Sequence, residues 1–212
     1  MGKSIYLIAV IAILAIFMVV TFSMKSYEDQ AFYSLNERVR ELQFESGFDS
    51  IYSTISKDSN QYCDILDLQM NLITKNISDL DYDLQQQKES FFSSQYVFVK
   101  KAFLMTNLDL YYKTRIAKQN CNLGIEPIVY FYDEGKGCEV ECSVMENQLN
   151  QITNECSNVR VFAFPYNWEE FKFSSLLEKE LSVNKFGTIV IGNVLFDSVK
   201  DKADLMSELN CN

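Results

Sequence analysis

The chain has 212 residues, of which 48% are hydrophobic and 14% aromatic, so it carries enough apolar side chains to form a core. Its formal net charge of −10 at pH 7 argues against nucleic acid as a partner, because phosphate binding needs clustered Lys and Arg. The sequence contains no histidine, which excludes Ser–His and Cys–His nucleophile pairs and every His-ligated metal site.

The first feature along the chain is the apolar segment IYLIAVIAILAIFMVVTF, residues 5–22, which is 18 residues long and uncharged. At about 1.5 Å per residue this length nearly spans a bilayer core of about 30 Å. The segment therefore predicts an N-terminal transmembrane anchor over residues 1–25. A cleaved signal peptide is the alternative, but its apolar region would be shorter and would be followed by small residues.

Charges on either side of this segment predict its orientation. Lys3 and the amino terminus precede it, whereas Glu28 and Asp29 follow it closely, although Lys25 also lies on that side. By the positive-inside rule we expect a single-pass protein of the cell membrane with a cytoplasmic N-terminus and an extracytoplasmic C-terminal domain. The six cysteines, an even number, agree with an oxidising compartment.

Residues 26–123 are predicted to form a helical stalk and hairpin. Residues 48–123 contain neither Gly nor Pro, whereas five of the seven glycines and both prolines lie from Gly124 onward, which predicts a boundary there. Apolar steps of three and four residues predict a helix continuing from the anchor to about residue 44, and then two packed helices joined by a turn at residues 89–94. The seam of the first packed helix is Leu66, Met70, Ile73, Ile77, Leu80 and Leu84.

Cys63 and Cys121 flank the predicted hairpin, and the midpoint between them, residue 92, falls in its turn. If two antiparallel helices of equal length fold back at this turn, both cysteines reach the open end of the hairpin. We therefore predict a Cys63–Cys121 disulfide that joins the two helices at their base. Two unrelated free thiols are the alternative.

The pattern changes in residues 124–212, which we predict to be a separate α/β domain. Short apolar, β-rich runs predict four strands, and the two last strands are joined by Gly192-Asn193, a strong hairpin signal. The predicted order is β-α-β-α-β-β-α, in which the crossover rule makes the first two strands parallel neighbours. The strands are predicted at residues 128–132, 159–164, 188–191 and 194–196, and the helices at 142–156, 168–181 and 200–209.

The stretches PIVYFYDEGKGCEVEC, VRVFAFPYN and KFGTIVIGNVLF, in this order, resemble the minimal thioredoxin fold over residues 126–210. The chain is also similar to membrane-anchored archaeal thioredoxin-like proteins, in which a helical segment precedes a YFY strand and a cysteine pair. The resemblance implies a thiol–disulfide oxidoreductase without a cofactor, acting on exported proteins. Cys138 would be the nucleophile, as the more N-terminal and exposed thiol, and Cys142 the resolving cysteine.

The sequence departs from the family pattern in two places. The family's redox motif is Cys-x-x-Cys, whereas three residues separate Cys138 from Cys142. The family also places a cis-proline before its third strand, where this chain has Gly187, and we expect a trans peptide there. The resemblance assigns to that proline the task of holding the substrate backbone beside the dithiol.

Three interpretations of the cysteine pair stay open: a redox-active dithiol, an inert structural disulfide, and free thiols or a metal ligand pair. A helix N-terminus favours the thiolate, whereas Glu139 and Glu141 disfavour it. A metal site is the weakest of these interpretations, because only two ligands are local and no histidine can complete them.

The thioredoxin-like arrangement implies a third bridge, Cys156–Cys211, because the helices that end near these residues would cover the same face of the sheet. Two buried thiols are the alternative. A second functional hypothesis is a redox-inactive interaction or assembly module. Residues 127–212 contain 14 acidic and 7 basic side chains, a charge of −7 that suits a basic protein partner.

Overall fold

The computed structural model describes residues 16–19, 60–87, 93–134, 138–198 and 200–211. The chain divides into two compact units, Met1–Ser50 and Ile51–Asn212. Of the predicted anchor, only residues 16–19 are described, and they are helical and exposed; the remainder of the anchor and the predicted helix to residue 44 lie outside the described residues. Among the helices of the described ranges, none is both long and apolar enough to cross a membrane.

The first described elements of the second unit are two helices, α1 over Asn60–Gln87 and α2 over Ser93–Asn120, each 28 residues long. They form the predicted hairpin and pack along the predicted apolar seam, in which Leu66, Met70 and Leu80 are buried. The predicted turn falls largely on residues 88–92, outside the described ranges. Helix α2 ends before Asn122, whose backbone is left-handed with φ 51°, a conformation common just past a helix C-terminus.

An α/β segment follows, and its elements have the predicted order. The strands are β1 (Glu126–Tyr132), β2 (Val159–Pro165), β3 (Thr188–Ile191) and β4 (Val194–Phe196), and the helices are α3 (Glu139–Glu155), α4 (Lys172–Glu180) and α5 (Lys202–Ser207). They build one mixed sheet with the strand order β2-β1-β3-β4. β1 is parallel to β2 and antiparallel to β3, and β3 is antiparallel to β4.

The sheet connections follow from local sequence chemistry. Seven consecutive residues of β1 pair with β2, from Glu126 opposite Val159 to Tyr132 opposite Pro165, which closes β2 because proline cannot donate to the ladder. The β3–β4 turn places Gly192 at its first central position with φ 59°, as a type II′ hairpin turn requires.

Strand β1 supplies two separate cores because its side chains alternate between the faces of the sheet. On one face Val129 and Phe131 pack with Phe162 and Phe164 of β2 and with the helical hairpin and α4. On the opposite face, Ile128 and Tyr130 pack with α3 and α5; this cluster includes Met145, Ile152, Ile189 and Leu205. Residue 124 therefore marks a change of secondary structure inside one compact unit, in which the hairpin and the sheet share a core.

Two disulfides fasten the helices that cover these faces. Cys63 pairs with Cys121 across the base of the hairpin, with Cα atoms 5.6 Å apart. Cys156, at the C-terminus of α3, pairs with Cys211, which follows α5, with Cα atoms 5.0 Å apart. Both pairings coincide with those expected from the sequence, and each joins elements on one face of the sheet.

The Cys63–Cys121 bridge closes a loop of sequence separation 58 and should restrict the unfolded chain far more than a short loop does. We predict that the double substitution Cys63→Ser/Cys121→Ser lowers the free energy of unfolding by about 4 kcal/mol. The measurement is guanidinium unfolding without reductant. The control is Cys138→Ser/Cys142→Ser, whose bridge has a separation of 4 and should contribute about 2 kcal/mol in the same chain-entropy account. Equal losses in the two variants would contradict the prediction.

Candidate dithiol site

Cys138 and Cys142 lie where the chain passes from the end of β1 into α3. Cys138 is the N-cap residue of α3, with φ −124° and ψ 12°, and Cys142 follows in the first turn of the helix. The two form a disulfide with Cα atoms 5.2 Å apart. Because Cys138 lies just outside the regular helix, three intervening residues still leave the pair within the Cα separation that a disulfide tolerates.

Both cysteines face the interior. Cys138 is 3% exposed and Cys142 is 8% exposed, and they pack in the core between α3 and the sheet, together with Met145. The expectation that Cys138 is the more exposed thiol is wrong, because the N-cap position turns its side chain toward the sheet. Val140, between the two cysteines, is 77% exposed, so the first turn of α3 presents an apolar side chain outward and the sulfurs inward.

The charges near the pair are acidic. Glu141 on the first turn of α3 is exposed, and so is Glu146 on the next turn. Carboxylates there disfavour a thiolate after reduction, whereas the positive end of the α3 dipole favours one at the N-cap. At these sulfurs the carboxylates and the helix dipole therefore act in opposite directions on the stability of a thiolate.

Tyr130 shares the buried cluster of the two cysteines, and its hydroxyl has no hydrogen-bond partner among the described residues. Burial raises the pKa of this phenol above its usual value, and the nearby Glu146 raises it further. The pKa of Tyr132 is raised in the same way, first by burial and then by Glu134. Both phenols are thus held in the neutral form at the end of β1 that leads to the dithiol.

A buried lysine that no sequence pattern indicates lies at this end of the sheet. Lys100 of α2 forms an ion pair with Glu134, which follows β1. Its Nζ atom lies 5.6 Å from the ring centroid of Tyr96, 5.5 Å from that of Tyr132 and 5.1 Å from that of Trp168. Such cation–π contacts stabilise a desolvated ammonium group, so the cluster joins α2 to the segments that follow β1 and β2.

Gly187 lies immediately before β3, beside the end of β1. Its N–H donates a hydrogen bond to the carbonyl of Phe131, with 2.7 Å between N and O. Its φ of 71° is in the left-handed region, which explains glycine at this position. The described residues contain no cis peptide bond, so the prediction of a trans peptide at Gly187 is confirmed.

The described part of the chain contains no group of three or more Cys, Asp or Glu side chains arranged to hold a metal ion. Of the predicted site residues, Cys138 and Cys142 are brought together in one disulfide, and the other four cysteines form two disulfides elsewhere. The chain shows no significant match to a protein-family model, a curated protein or a solved structure.

The unpartnered hydroxyl of Tyr130 gives a direct test of this environment. Removing a buried hydroxyl that lacks a partner should raise the free energy of unfolding at pH 7, by about 1–3 kcal/mol for Tyr130→Phe. Because burial raises the pKa of the phenol in the folded protein, the unfolded chain loses this proton first as the pH rises above the usual value of 10.0, and the stability of the parent then falls. The variant should therefore lose less stability than the parent between pH 9 and pH 11, which denaturant unfolding at each pH measures.

The matched control is Tyr112→Phe, since the hydroxyl of Tyr112 donates a hydrogen bond to Glu180, with 2.6 Å between the oxygens. That substitution should lower stability at pH 7, in the opposite direction to Tyr130→Phe. A loss of stability in Tyr130→Phe equal to that of the control would show that the buried hydroxyl does have a partner.

Proposed function

We propose that this chain is a membrane-anchored thioredoxin-like protein that exchanges thiols and disulfides with exported proteins through Cys138 and Cys142. The observation that carries the proposal is the position of this pair, at the N-cap and in the first turn of the helix that follows the central buried strand. A helix N-terminus is where the backbone favours a thiolate, which is the reactive form of cysteine.

The topology around the pair supports the same proposal. A parallel β1–β2 pair joined through α3, followed by the antiparallel β3 and β4 and a last helix, is the element order of the minimal thioredoxin fold. The order places the start of α3 and the residue before β3 at the same end of the sheet, because β1 and β3 are antiparallel. Gly187 would then stand where that fold has the proline that holds the substrate backbone beside the dithiol.

In the proposed reaction the reduced protein starts with a Cys138 thiolate. This sulfur attacks a disulfide of the substrate, forms a mixed disulfide, and releases the second substrate sulfur as a thiolate. The Cys142 thiolate then attacks the Cys138 sulfur and releases the first substrate sulfur, so two electrons have passed to the substrate. The product is the Cys138–Cys142 disulfide found in the structure, and a dithiol electron donor must reduce it again.

The N-terminal apolar segment completes the proposal. Residues 1–25 would anchor the protein in the cell membrane with its N-terminus in the cytoplasm. The helical region would then connect this anchor to the α/β part on the extracytoplasmic side of the membrane. Three disulfides among six cysteines suit an oxidising compartment, where such bridges form and persist.

The burial of both sulfurs favours a second candidate, a redox-inactive interaction or assembly module that keeps the fold and uses all three bridges structurally. A sulfur that faces the core is not open to in-line attack by another thiolate. In this candidate the charge of −7 over residues 127–212 would serve to bind a basic protein surface.

Insulin reduction with dithiothreitol as electron donor tests the two candidates on the full-length protein in detergent micelles. We expect the parent protein to accelerate insulin precipitation and Cys138→Ser to abolish the acceleration, because the mixed disulfide can no longer form. The matched control is Cys156→Ser/Cys211→Ser, which removes a bridge distant from the dithiol and should keep activity. No acceleration by the parent, with a Cys138–Cys142 potential below about −300 mV, would favour the redox-inactive module.

A further inference from the structure

Helix α1 carries two apolar stripes on opposite sides. One is the buried seam that packs in the hairpin and against the sheet. The other, here called the outer stripe, contains Leu68, Leu72 and Tyr82, which are 60%, 46% and 63% exposed. At about 100° per residue, these three side chains lie within about 80° of one another and nearly opposite the buried seam.

The outer stripe has the spacing of a coiled-coil seam. Residues 65, 68, 72, 75, 79 and 82 are separated alternately by three and four residues, which is the a/d pattern of a heptad repeat. The stripe is about 27 Å long at 1.5 Å per residue. Ordinary surface helices are polar on the side away from the core, so a second seam on α1 suits a second helix.

Two charged residues at the centre of the outer stripe indicate which helix packs on the stripe and in which direction it runs. Lys75 and Asp79 occupy adjacent a/d positions and are exposed, and neither takes part in an ion pair among the described residues. In a parallel pair of α1 helices, each of these residues would face its own copy, and like charges would meet. In an antiparallel pair centred at the level of Ile77, Lys75 faces Asp79 of the second copy.

The same antiparallel register also brings together two of the three exposed apolar residues of the stripe. A two-fold axis relates residue i to residue j of the second copy when both lie equally far from Ile77, so Leu72 faces Tyr82 of that copy. The register pairs a positions with d positions, as antiparallel coiled coils do. Charge and apolar contacts are therefore self-complementary in one arrangement.

We propose that two copies of this chain associate through the outer stripes of α1, antiparallel and two-fold symmetric about the level of Ile77. Each dimer contains two Leu72–Tyr82 contacts and two Lys75–Asp79 ion pairs. The interface is a single short helix pair, smaller than standard stable interfaces, so the dimer is in equilibrium with the monomer. This association does not depend on the redox activity proposed above.

Sedimentation equilibrium of the full-length protein in detergent, over a range of protein concentrations, measures the association. We expect a monomer–dimer equilibrium for the parent and a shift to monomer for Leu72→Asp. Leu176→Asp is the matched control, because Leu176 is a comparably exposed leucine on α4, outside the outer stripe, and its substitution should leave the equilibrium unchanged. A monomeric parent, or equal shifts in both variants, would overturn the proposal.

Charge reversal tests the antiparallel register. Lys75→Glu alone and Asp79→Lys alone each turn both ion pairs into like-charge contacts, and each should raise the dimer dissociation constant about tenfold. The double variant Lys75→Glu/Asp79→Lys restores both pairs with reversed polarity and should return the constant to near its parent value. Far-UV circular dichroism establishes that each variant keeps its helices. A double variant as weak as the single ones, with intact helices, would overturn the register.

Discussion

The burial of β1 on both faces is the constraint on which the rest of the structure depends. Its four central residues are all buried, and alternate side chains enter different cores. A strand without a solvent face needs a helical layer on each side, which explains why the hairpin and α4 lie on one face and α3 and α5 on the other. The same strand also positions the dithiol, because only five residues separate its last residue, Tyr132, from Cys138.

Disulfides and ion pairs also join these layers. The Cys63–Cys121 bridge lies at the base of the hairpin, and Lys100 joins α2 to the segments after β1 and β2 at the opposite end of that helix. Between them, Arg115 of α2 forms an ion pair with Glu180 of α4. Contacts spaced along α2 therefore restrict how the hairpin can tilt on the sheet.

Much of this architecture could be predicted from the sequence because it depends on local patterns. The change from three-and-four spacing to continuous apolar runs located the helices and strands, and the symmetric placement of Cys63 and Cys121 about the turn gave their pairing. The start of α4 was predicted at Trp168 but lies at Lys172, since Asn167 takes a left-handed backbone with φ 50° and a turn precedes the helix. Such a turn leaves little trace in apolar periodicity.

The features that could not be predicted depend on contacts between distant residues. Lys100 and Trp168 are 68 positions apart, and nothing in the local sequence of either residue indicates that the Lys100 ammonium group lies over the Trp168 ring. The inward direction of the two dithiol sulfurs has the same origin. It follows from how α3 packs on Tyr130 and Ile189, whereas the sequence pattern fixes only that the cysteines lie at the helix start.

The inward-facing sulfurs change what the proposed exchange reaction requires. A buried disulfide is protected from reduction by passing thiols, so exchange with a protein substrate needs the first turn of α3 to separate from the sheet around Tyr130. The groups that oppose this separation are apolar contacts, whereas the exposed Val140 offers a substrate an apolar surface on the same turn. A substrate that covers Val140 while it draws Cys138 outward would use its binding energy to expose the sulfur. Selectivity would then depend on contact with that turn of α3, because no thiol is permanently open to attack.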